Sequence, residues 1–531
     1  MVEIKNLDVM VVGAGFGGMY MLHKLRQQGL KVRVLEAGDG VGGTWYWNRY
    51  PGARCDVESV QYSLQFDDDL EQEWNWSERY AAQPEILRYA NHVADRFDLR
   101  RDIQFNARVS SAKYNESAKT WSLTTEEGEQ FEAPFCVMAL GCLSAPNHPH
   151  FDGAENFKGP IYHTGEWPHE GVNFEGKRVA VIGTGSSAIQ SIPIIAKQAK
   201  SLTVFQRTAN YAIPANNHNL DDDYIAEIKK TYKQLRAYAK TMPTGVAFDF
   251  RDIAALESTD EERRTEYQKR WDRGGLSFLG GFKDLLFVKE ANDTAAEFVR
   301  EKIRSLVDDP KVADMLCPEN IIGCKRLCVD IGYYQTYNLP HVKLIDVSKN
   351  PIQRITSKGV LAHDIETEVD TIIFATGFDA MTGALNRINI EGRNGRQLRE
   401  KWHGGARSYL GLAIAGFPNL FTVTGPGSPS VLTNMLPSIE QHVEWIDRCI
   451  SDLRKSGKTE IEAEVVAENN WVDHVNETAE LSLRSVCSSW YVGANVPGKP
   501  RVFMPYIGGF PRYVAKCEDV ASKEYDGFQL S

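Results

Sequence analysis

The stretch that decides the fold is Val9-Met10-Val11-Val12-Gly13-Ala14-Gly15-Phe16-Gly17-Gly18. The β-branched, apolar run from Leu7 to Val12 predicts a buried strand, and the residues from there to Gly29 predict a helix that ends at a glycine. Gly13 permits a tight turn, Gly15 lets the backbone approach a pyrophosphate, and Gly18 lets the helix pack closely on the strand. This pattern predicts a dinucleotide-binding unit.

The chain after this helix strengthens that prediction. Lys31 to Leu35 is a second strand-like run, and it ends in Glu36. A carboxylate at the end of this strand can accept hydrogen bonds from ribose hydroxyls. Glu36 therefore favours a cofactor whose adenosine ribose carries no phosphate.

A second copy of the pattern begins about 170 residues later. A strand-like run, Arg178 to Ile182, leads into Gly183-Thr184-Gly185-Ser186-Ser187-Ala188 and a helix that contains Pro193. Its second strand, Ser201 to Phe205, ends in Gln206-Arg207-Thr208 and carries no acid there. The chain is thus predicted to hold two nucleotides.

Arg207 indicates which nucleotide the second copy binds. A carboxylate at this place would repel a 2′-phosphate, whereas a guanidinium can bind it with two hydrogen bonds. A single arginine can also be an ordinary surface residue, but its position at the end of the strand favours NADP(H) as the ligand.

Composition excludes several classes of function. A chain of 531 residues predicts two or three domains, and its 42% apolar and 25% charged residues are typical of a soluble protein. The net charge of −11 argues against nucleic acid or an anionic membrane as partner. The sequence has neither an 18-residue apolar run nor a signal-peptide pattern. We expect a cytoplasmic protein without an obligate protein partner.

Nine cysteines are scattered without a Cys-x-x-Cys pair, which predicts free, mostly buried thiols and neither a disulfide framework nor a metal site. Disulfide reductases with two nucleotide folds carry a redox-active cysteine pair early in the first fold. Only Cys55 lies in that region here. Dithiol chemistry is therefore disfavoured, which leaves O2 or a direct electron acceptor.

The segment from Gly42 to Asp56 is dense in aromatic, glycine and charged residues. Trp45 and Trp47 could simply pack in a loop beneath a flavin ring. Asp56 needs a partner in so aromatic a setting, and Arg326 is a candidate. Whether the two side chains meet is not evident from sequence.

Two longer motifs resemble the signatures of one enzyme family. Phe157-x-Gly159-x-x-x-His163-x-x-x-Trp167-Pro168 lies between the two glycine patterns, and Gly42-Gly43-x-Trp45 with Tyr50-Pro51-Gly52 and Asp56 follows the first. Both are similar to motifs of type I Baeyer–Villiger monooxygenases. The related N- and S-oxidising flavin monooxygenases usually lack the Trp-Pro ending. The segment 424–435 resembles the phenylacetone and steroid monooxygenase branch.

The resemblance implies an α/β fold with two Rossmann-like dinucleotide-binding domains, for tightly bound FAD and for NADPH. Short strand-like runs ending at Gly141 and Gly377 predict where the chain crosses between them. The predicted boundaries are 1–148 and 379–531 for the two parts of the FAD-binding domain, 149–209 and 321–378 for those of the NADPH-binding domain, and 210–320 for a helical insertion. Within the insertion, Asp260 to Arg273 is predicted to form a solvated helix face.

The resemblance also assigns residues to the site. Arg326 would be the catalytic arginine and Asp56 its carboxylate partner, and His163 would serve a hinge between the domains. Ser430, Val431 and Leu432 would shape the ketone pocket. The residues implied to bind FAD or NADPH are Gly13, Gly15, Gly17, Gly18, Glu36, Thr44, Trp45, Tyr46, Trp47, Arg54, Cys55, Asp56, Tyr62, Val109, Gly183, Thr184, Gly185, Ser186, Ser187, Ala188, Gln190, Arg207, Thr208, Lys325, Arg326, Met435 and Trp490.

The reaction that the resemblance implies converts a ketone and O2 to an ester or lactone. NADPH would reduce the flavin, O2 would add at its C4a atom, and the deprotonated peroxyflavin would attack the carbonyl beside a fixed cation, Arg326. An N- or S-oxygenating flavin monooxygenase is the alternative enzyme. A redox-sensing flavoprotein without turnover is the alternative of another class, and NADPH oxidase activity is a possible side reaction.

Overall fold

Two parallel five-stranded sheets form the centre of the structure, a computed structural model that describes residues 5–531. The strands of the first sheet, in spatial order, are Leu420–Thr422, Phe135–Met138, Val9–Val12, Val32–Leu35 and Ile103–Gln104. Those of the second are Val342–Asp346, Ser201–Gln206, Arg178–Ile182, Thr371–Phe374 and Ile161–His163. The predicted fold class is confirmed.

The two sheets are built alike around the two glycine patterns. In each, the strand before the glycines has on one side a strand that ends just before Glu36 or at Gln206, namely Val32–Leu35 or Ser201–Gln206. On its other side lies the strand that leads into a crossing segment, Phe135–Met138 or Thr371–Phe374. Parallel strands present their carboxyl ends at one edge, so both glycine turns and both crossing segments meet between the sheets.

A third, mixed sheet packs on one face of the first. Its strands, in spatial order, are Lys5–Asn6, Gln130–Ala133, Thr120–Thr125, Val109–Asn115 and Asn389–Glu391. Met10 and Val12 belong to an apolar cluster with Trp121 and Leu123 of this sheet. Val9 belongs to the apolar cluster on the other face, which includes the helices. This alternation explains why the central strand is apolar on both faces.

Smaller strands and the helices complete the chain. The remaining strands are Arg354–Ile355, Gly359–Ala362 and Ile365–Glu368 in one sheet, Ala212–Pro214 with Cys328–Asp330, and Ile461–Ala463 with Phe528–Leu530. The α-helices are Phe16–Gln27, Thr44–Trp47, Asp68–Glu73, Gln83–Arg96, Ser186–Ala196, Asp222–Thr241, Asp260–Arg273, Lys289–Leu306, Pro310–Leu316, Tyr333–Thr336, Gly383–Arg387, Leu398–Lys401, Met435–Lys455, Val465–Glu480 and Phe510–Ser522. Short 3-10 turns include Ser430–Leu432 and Trp490–Val492.

The helix Asp260–Arg273 has the predicted bounds, and one of its faces is solvated, as predicted. Glu266 and Arg270 are buried on one face, where Arg270 Nε donates to Glu266 Oε1 at 2.6 Å. Tyr267 and Trp271 are buried on the same face. The buried residues lie on the face opposite the predicted solvated one, and this ion pair lets two charged side chains enter the core.

The expectation of nine free thiols was also wrong for one pair. Cys324 and Cys487 are joined by a disulfide, with their Cα atoms 5.8 Å apart. They are separated by 163 residues, so no local spacing of cysteines predicts the bond. The other seven cysteines are free, and all but Cys317 are buried.

Over residues 5–531, no helix combines the length and the apolar character that crossing a membrane requires. In the same range there is no cluster of three or more His, Cys, Asp or Glu side chains that could hold a metal ion.

Candidate active site

A cavity of about 1920 Å³ lies between the carboxyl edges of the two parallel sheets. A site for one small ligand is usually about 300–1,000 Å³, so this cavity has room for more than one. Both glycine turns line it, as do the crossing segments that follow the strands Phe135–Met138 and Thr371–Phe374. The cavity therefore has room for two nucleotides, one at each glycine turn.

The first glycine turn is built for close approach. Gly13 has φ +101°, and a Cβ there would lie 2.6 Å from the carbonyl oxygen of Ala139. A Cβ on Gly18 would lie 1.8 Å from the Gly13 oxygen, so the helix can pack on the turn only because this residue is glycine. Gly15 lies against the backbone of Gly43, which brings the loop that follows over the turn.

Glu36 is held in a fixed position on the cavity wall. Its two carboxylate oxygens accept hydrogen bonds from the backbone N–H groups of Ala14, at 2.6 Å, and Gly38, at 2.8 Å. Burial raises the pKa of Glu36, and these backbone hydrogen bonds oppose that effect. A carboxylate fixed on the cavity wall fits the hydroxyls of an unphosphorylated ribose.

The aromatic loop forms the next part of the wall. Trp45 Nε1 donates a hydrogen bond of 3.1 Å to the hydroxyl of Tyr62, and their rings meet edge to face. Both line the cavity together with Thr44, Trp47 and Met435. This wall of flat apolar groups fits the ring system of a flavin.

The second glycine turn repeats the first with one change of charge. Gly183 has φ +114°, and a Cβ there would lie 2.5 Å from the carbonyl oxygen of Ala375. Arg207 is exposed at the cavity rim, and Lys325 is half-buried near it. Burial lowers the pKa of Lys325, and Arg207 lowers it further. Neither cation forms an ion pair within residues 5–531, which fits a phosphate between them.

Asp56 and Arg326 meet where the two nucleotide sites join. Arg326 Nε donates to Asp56 Oδ2 at 2.7 Å, and Nη2 donates to Oδ1 at 2.8 Å. Burial alone would lower the pKa of Arg326, but Asp56 outweighs it and the pKa is raised. The expected contact therefore forms, and the guanidinium stays charged.

The loop 430–432 approaches the same arginine. Arg326 Nη1 donates to the carbonyl oxygen of Val431 at 2.6 Å. Ser430 is fully buried, with φ +43°, and its hydroxyl points towards Met381 Sδ, 3.6 Å away. Leu432 packs in an apolar cluster with Trp490. Of these loop residues, only Val431 lines the cavity directly.

Gln190 connects the two nucleotide units. Its side-chain oxygen accepts from the hydroxyl of Tyr50 at 2.8 Å, and its side-chain nitrogen donates to the Arg54 carbonyl at 3.0 Å. Gly52 passes so close that a Cβ would lie 2.3 Å from the Gln190 carbonyl oxygen. The helix of the second glycine turn is thus docked on the loop that carries Asp56.

His163 lies at the crossing segments, where a hinge was expected. Its Nδ1 accepts from the Gly165 N–H at 3.0 Å, so Nε2 is the protonated nitrogen and donates to Thr376 Oγ1 at 3.1 Å. That hydroxyl in turn donates to the Asn147 carbonyl at 2.7 Å. Burial, helped by His148, lowers the pKa of His163 to about 4. A neutral imidazole therefore connects both crossing segments.

Most residues implied by the family resemblance line the cavity. Those that line it are Gly13, Gly15, Gly17, Glu36, Thr44, Trp45, Trp47, Arg54, Cys55, Asp56, Tyr62, Val109, Gly183, Thr184, Gly185, Ser186, Ser187, Gln190, Arg207, Thr208, Lys325, Arg326, Val431, Met435 and Trp490. Those behind its wall are Gly18, Tyr46, Ala188, Ser430 and Leu432. Tyr46, for example, donates its hydroxyl hydrogen to Asp39 at 2.7 Å.

The sequence reading missed a set of cavity residues on the crossing segments and near the C-terminus. They are Asn147, Thr376, Phe378, Ala494 and Asn495. The strand-then-glycine pattern before each crossing segment was a usable signal for the first three. The other two carry no local signal because they reach the site through tertiary packing.

Comparison with known proteins agrees with this geometry. Residues 10–268 match the family described as pyridine nucleotide-disulphide oxidoreductase. A Baeyer–Villiger monooxygenase of Pseudooceanicola batsensis is 44% identical over 98% of this chain and 95% of that protein. A phenazine N-monooxygenase of Lysobacter antibioticus is 41% identical over 99% of this chain and 97% of its own length. The solved structure of oxidised steroid monooxygenase bound to NADP has a TM-score of 0.95 and 51% identity, covering 99% of each chain.

Full-length identity at this level, together with two nucleotide sites and the Asp56–Arg326 pair between them, decides the family. FAD and NADP(H) are its cofactors. The chain belongs to the FAD- and NADPH-dependent Baeyer–Villiger monooxygenases.

Proposed function

We propose that this enzyme oxygenates a ketone to an ester or lactone, with O2 and NADPH as co-substrates. The observation that carries the proposal is the guanidinium of Arg326, which Asp56 holds with two hydrogen bonds at the junction of the two nucleotide sites. A permanent cation at this point stabilises negative charge on oxygen, which ketone oxygenation generates and oxidation of a soft nucleophile does not require.

Arg326 has hydrogen-bond donors left for a ligand. A guanidinium carries five N–H groups. Asp56 takes two of them and the Val431 carbonyl takes one, so one N–H on each terminal nitrogen remains. Asp56 therefore orients the arginine and keeps it charged, and the two remaining donors bind the oxygen on which charge develops.

FAD, when bound, accepts hydride from NADPH and activates O2. The chain's own residues position the reactants around it. Glu36 and the first glycine turn hold the adenosine end of FAD, and Arg207 with Lys325 holds the 2′-phosphate of NADPH. The aromatic wall of Trp45 and Tyr62 excludes water from the reacting atoms.

The ketone is proposed to bind beside Val431. Around this residue the structure has a buried apolar cluster that includes Cys142, Met381, Tyr491 and Phe503. Such a wall favours a ketone with apolar substituents over one with charged groups. The Val431 carbonyl connects this pocket to Arg326, so the cation lies beside the pocket.

We also propose a cytoplasmic location, since the reaction consumes NADPH and seven cysteines remain free thiols. No protein partner is needed for the site, because one chain supplies both nucleotide turns, Asp56 and Arg326.

The test is a turnover assay of the FAD-loaded enzyme with NADPH, O2 and a panel of apolar ketones that includes phenylacetone, cyclic ketones and steroids. We expect an ester or lactone 16 mass units heavier than the ketone, formed in step with NADPH consumption. A heteroaromatic amine and a thioether go into the same assay, since one relative is a phenazine N-monooxygenase. Oxygenation of these two without any ketone product would contradict the proposal.

A further inference from the structure

The disulfide Cys324–Cys487 lies in the wall of the active-site cavity. Cys324 directly precedes Lys325 and Arg326, and Cys487 lies three residues before Trp490. We call residues 484–499 the strap. The bond therefore joins the loop that carries the catalytic arginine to the start of the strap.

The strap is fastened at its far end by polar contacts. Asn495 donates to the Phe378 carbonyl at 2.7 Å and accepts, through its own carbonyl, from Asn147 at 3.1 Å. Lys499 donates to the Ala380 carbonyl at 2.9 Å. At its near end two links join it to the arginine loop, namely the disulfide and a 2.9 Å hydrogen bond from Arg484 Nε to the Gly323 carbonyl.

We propose that Cys324 and Cys487 form a redox site, whose thiols are oxidised to the disulfide by hydrogen peroxide that the enzyme itself releases, and that this bond holds the strap over the NADPH site. The inference rests on the proposed function in one respect, namely the source of the peroxide. When no ketone is oxygenated, the enzyme reduces O2 to hydrogen peroxide: NADPH + H⁺ + O2 → NADP⁺ + H2O2.

The chemistry of the step balances. One thiolate attacks peroxide and becomes a sulfenic acid, with release of hydroxide. The second thiol then attacks the sulfenic sulfur, the S–S bond forms and water leaves. In sum, two thiols and H2O2 give one disulfide and two water molecules, and the sulfurs are oxidised as the peroxide is reduced.

The surroundings single out this pair among the cavity cysteines. Lys325 follows Cys324 in the chain, and Arg484, three residues before Cys487, reaches the Gly323 carbonyl next to Cys324. Neither cation forms an ion pair in the described part of the chain, and positive charge near a thiol favours its thiolate. Cys55, Cys142 and Cys328 also line the cavity, but burial raises the pKa of all three thiols, that of Cys142 to about 11 and that of Cys328 to about 12. These three thiols stay protonated, and none is bonded to a second cysteine.

The first experiment counts alkylated thiols in the FAD-loaded enzyme by intact mass and locates them by peptide mapping. After full reduction we expect all nine cysteines to be alkylated. After turnover with NADPH and O2 but no ketone we expect seven, with positions 324 and 487 cross-linked. Catalase in the same reaction should keep the count at nine. The variant Cys317→Ser, whose sulfur lies outside the cavity, should lose the same pair of thiols.

The second measurement is the rate of NADP⁺ release from the holoenzyme, followed by stopped flow. Oxidised wild-type enzyme should release NADP⁺ at least about fivefold more slowly than reduced enzyme, the lower end of typical site-to-site coupling. In Cys487→Ser the rate should not depend on oxidation, and Cys317→Ser should behave as wild type.

The outcomes separate this inference from the proposed function. If O2 does not consume NADPH, the proposed function fails, and an arm with added H2O2 still tests the pair. The inference is overturned if added H2O2 does not form the disulfide, or if H2O2 forms it but NADPH-consuming turnover does not. It is also overturned if the disulfide forms without slowing NADP⁺ release.

Discussion

The two nucleotide-binding halves have the same strand and turn arrangement, but they differ in the charged residue at the end of the second strand. In each, the first glycine of the turn lies against the carbonyl oxygen of the residue that opens a crossing segment, Ala139 or Ala375. In the first half the neighbouring strand leads to the buried Glu36, and in the second it leads to the exposed Arg207. We propose that the shared backbone makes a nucleotide site and that this one side chain decides which nucleotide the site binds.

The halves also differ in how tightly the helix packs on the turn. Gly18 in the first half has no room for a Cβ, whereas the equivalent position in the second half is Ala188. The closer packing suits a cofactor that stays bound. The looser packing suits one that binds and leaves in each turnover.

The largest expected effect comes from removing the Asp56–Arg326 ion pair, which joins the two halves. Arg326→Ala removes the cation and leaves Asp56 without its partner. Ketone oxygenation should fall by about 10²–10³-fold, by analogy with the loss of an oxyanion-hole donor, while FAD stays bound. Product formation and flavin absorbance measure the two effects separately.

The matched control is Arg178→Ala. Arg178 also forms a bidentate pair with an aspartate, Asp370, but at the other end of the second sheet and outside the cavity. Its loss should change turnover by no more than about twofold, as for most surface substitutions. Equal losses in both variants would mean that Arg326 acts through stability alone.

The next effect concerns the residue that distinguishes the halves. Arg207→Ala should lower kcat/KM for NADPH by roughly 10–150-fold, because a hydrogen-bonded charge contributes about 1.5–3 kcal/mol. The value for NADH should hardly change, so the ratio of the two reports the loss of the 2′-phosphate contact. Arg354→Ala, an exposed arginine outside the cavity, is the control. An unchanged preference for NADPH would remove Arg207 from the site.

A smaller effect tests the packing difference. Gly18→Ala places a methyl group where the Gly13 oxygen lies, so the helix must shift away from the FAD turn. Overpacking of this kind costs about 1–3 kcal/mol, and FAD should bind roughly 5–150-fold more weakly in a dialysis or fluorescence titration. Ala188→Gly should keep NADP⁺ affinity within a few fold, at a helix cost of about 0.5–1 kcal/mol. Similar losses in both variants would contradict the proposed difference.

Individual residues show which parts of the fold and of the site could be predicted from the sequence. The central strand of each half and both glycine turns were predicted, since local apolar periodicity and glycine spacing specify them. Val9–Val12 begins two residues later than expected, and Arg178–Ile182 has the expected bounds. The Asp56–Arg326 contact was a candidate only, because it joins positions 270 residues apart.

Features set by tertiary contact were not predicted. The strand Asn389–Glu391 closes the third sheet beside Val109–Asn115, and Gln190 bridges Tyr50 and the Arg54 carbonyl. The disulfide is of the same kind. In each case partners distant in sequence meet because separate elements pack together, and no local pattern encodes that packing.

The effect expected to be smallest on turnover is a dependence of stability on pH, and it arises in the FAD half. Glu440 lies on the helix Met435–Lys455, which covers the FAD half, and it accepts a 2.5 Å hydrogen bond from the Gln65 N–H. Burial raises the pKa of Glu440 to about 8, although the Gln65 N–H and the charges of Lys240 and Arg236 oppose the shift. The folded protein therefore holds a proton that the unfolded chain releases above about pH 4.5.

Because the folded state binds more protons, its stability falls as pH rises towards 8. The slope is at most 1.36 kcal/mol per pH unit, or about 2–3 kcal/mol between pH 6 and 8. Glu440→Gln cannot titrate and keeps the shape of the side chain, so its melting temperature should drop less than that of wild type over this range. FAD release should follow the same difference, since this helix begins at Met435 on the cavity wall. If the melting temperatures of the two proteins fall equally between pH 6 and 8, Glu440 is not the group that holds the proton.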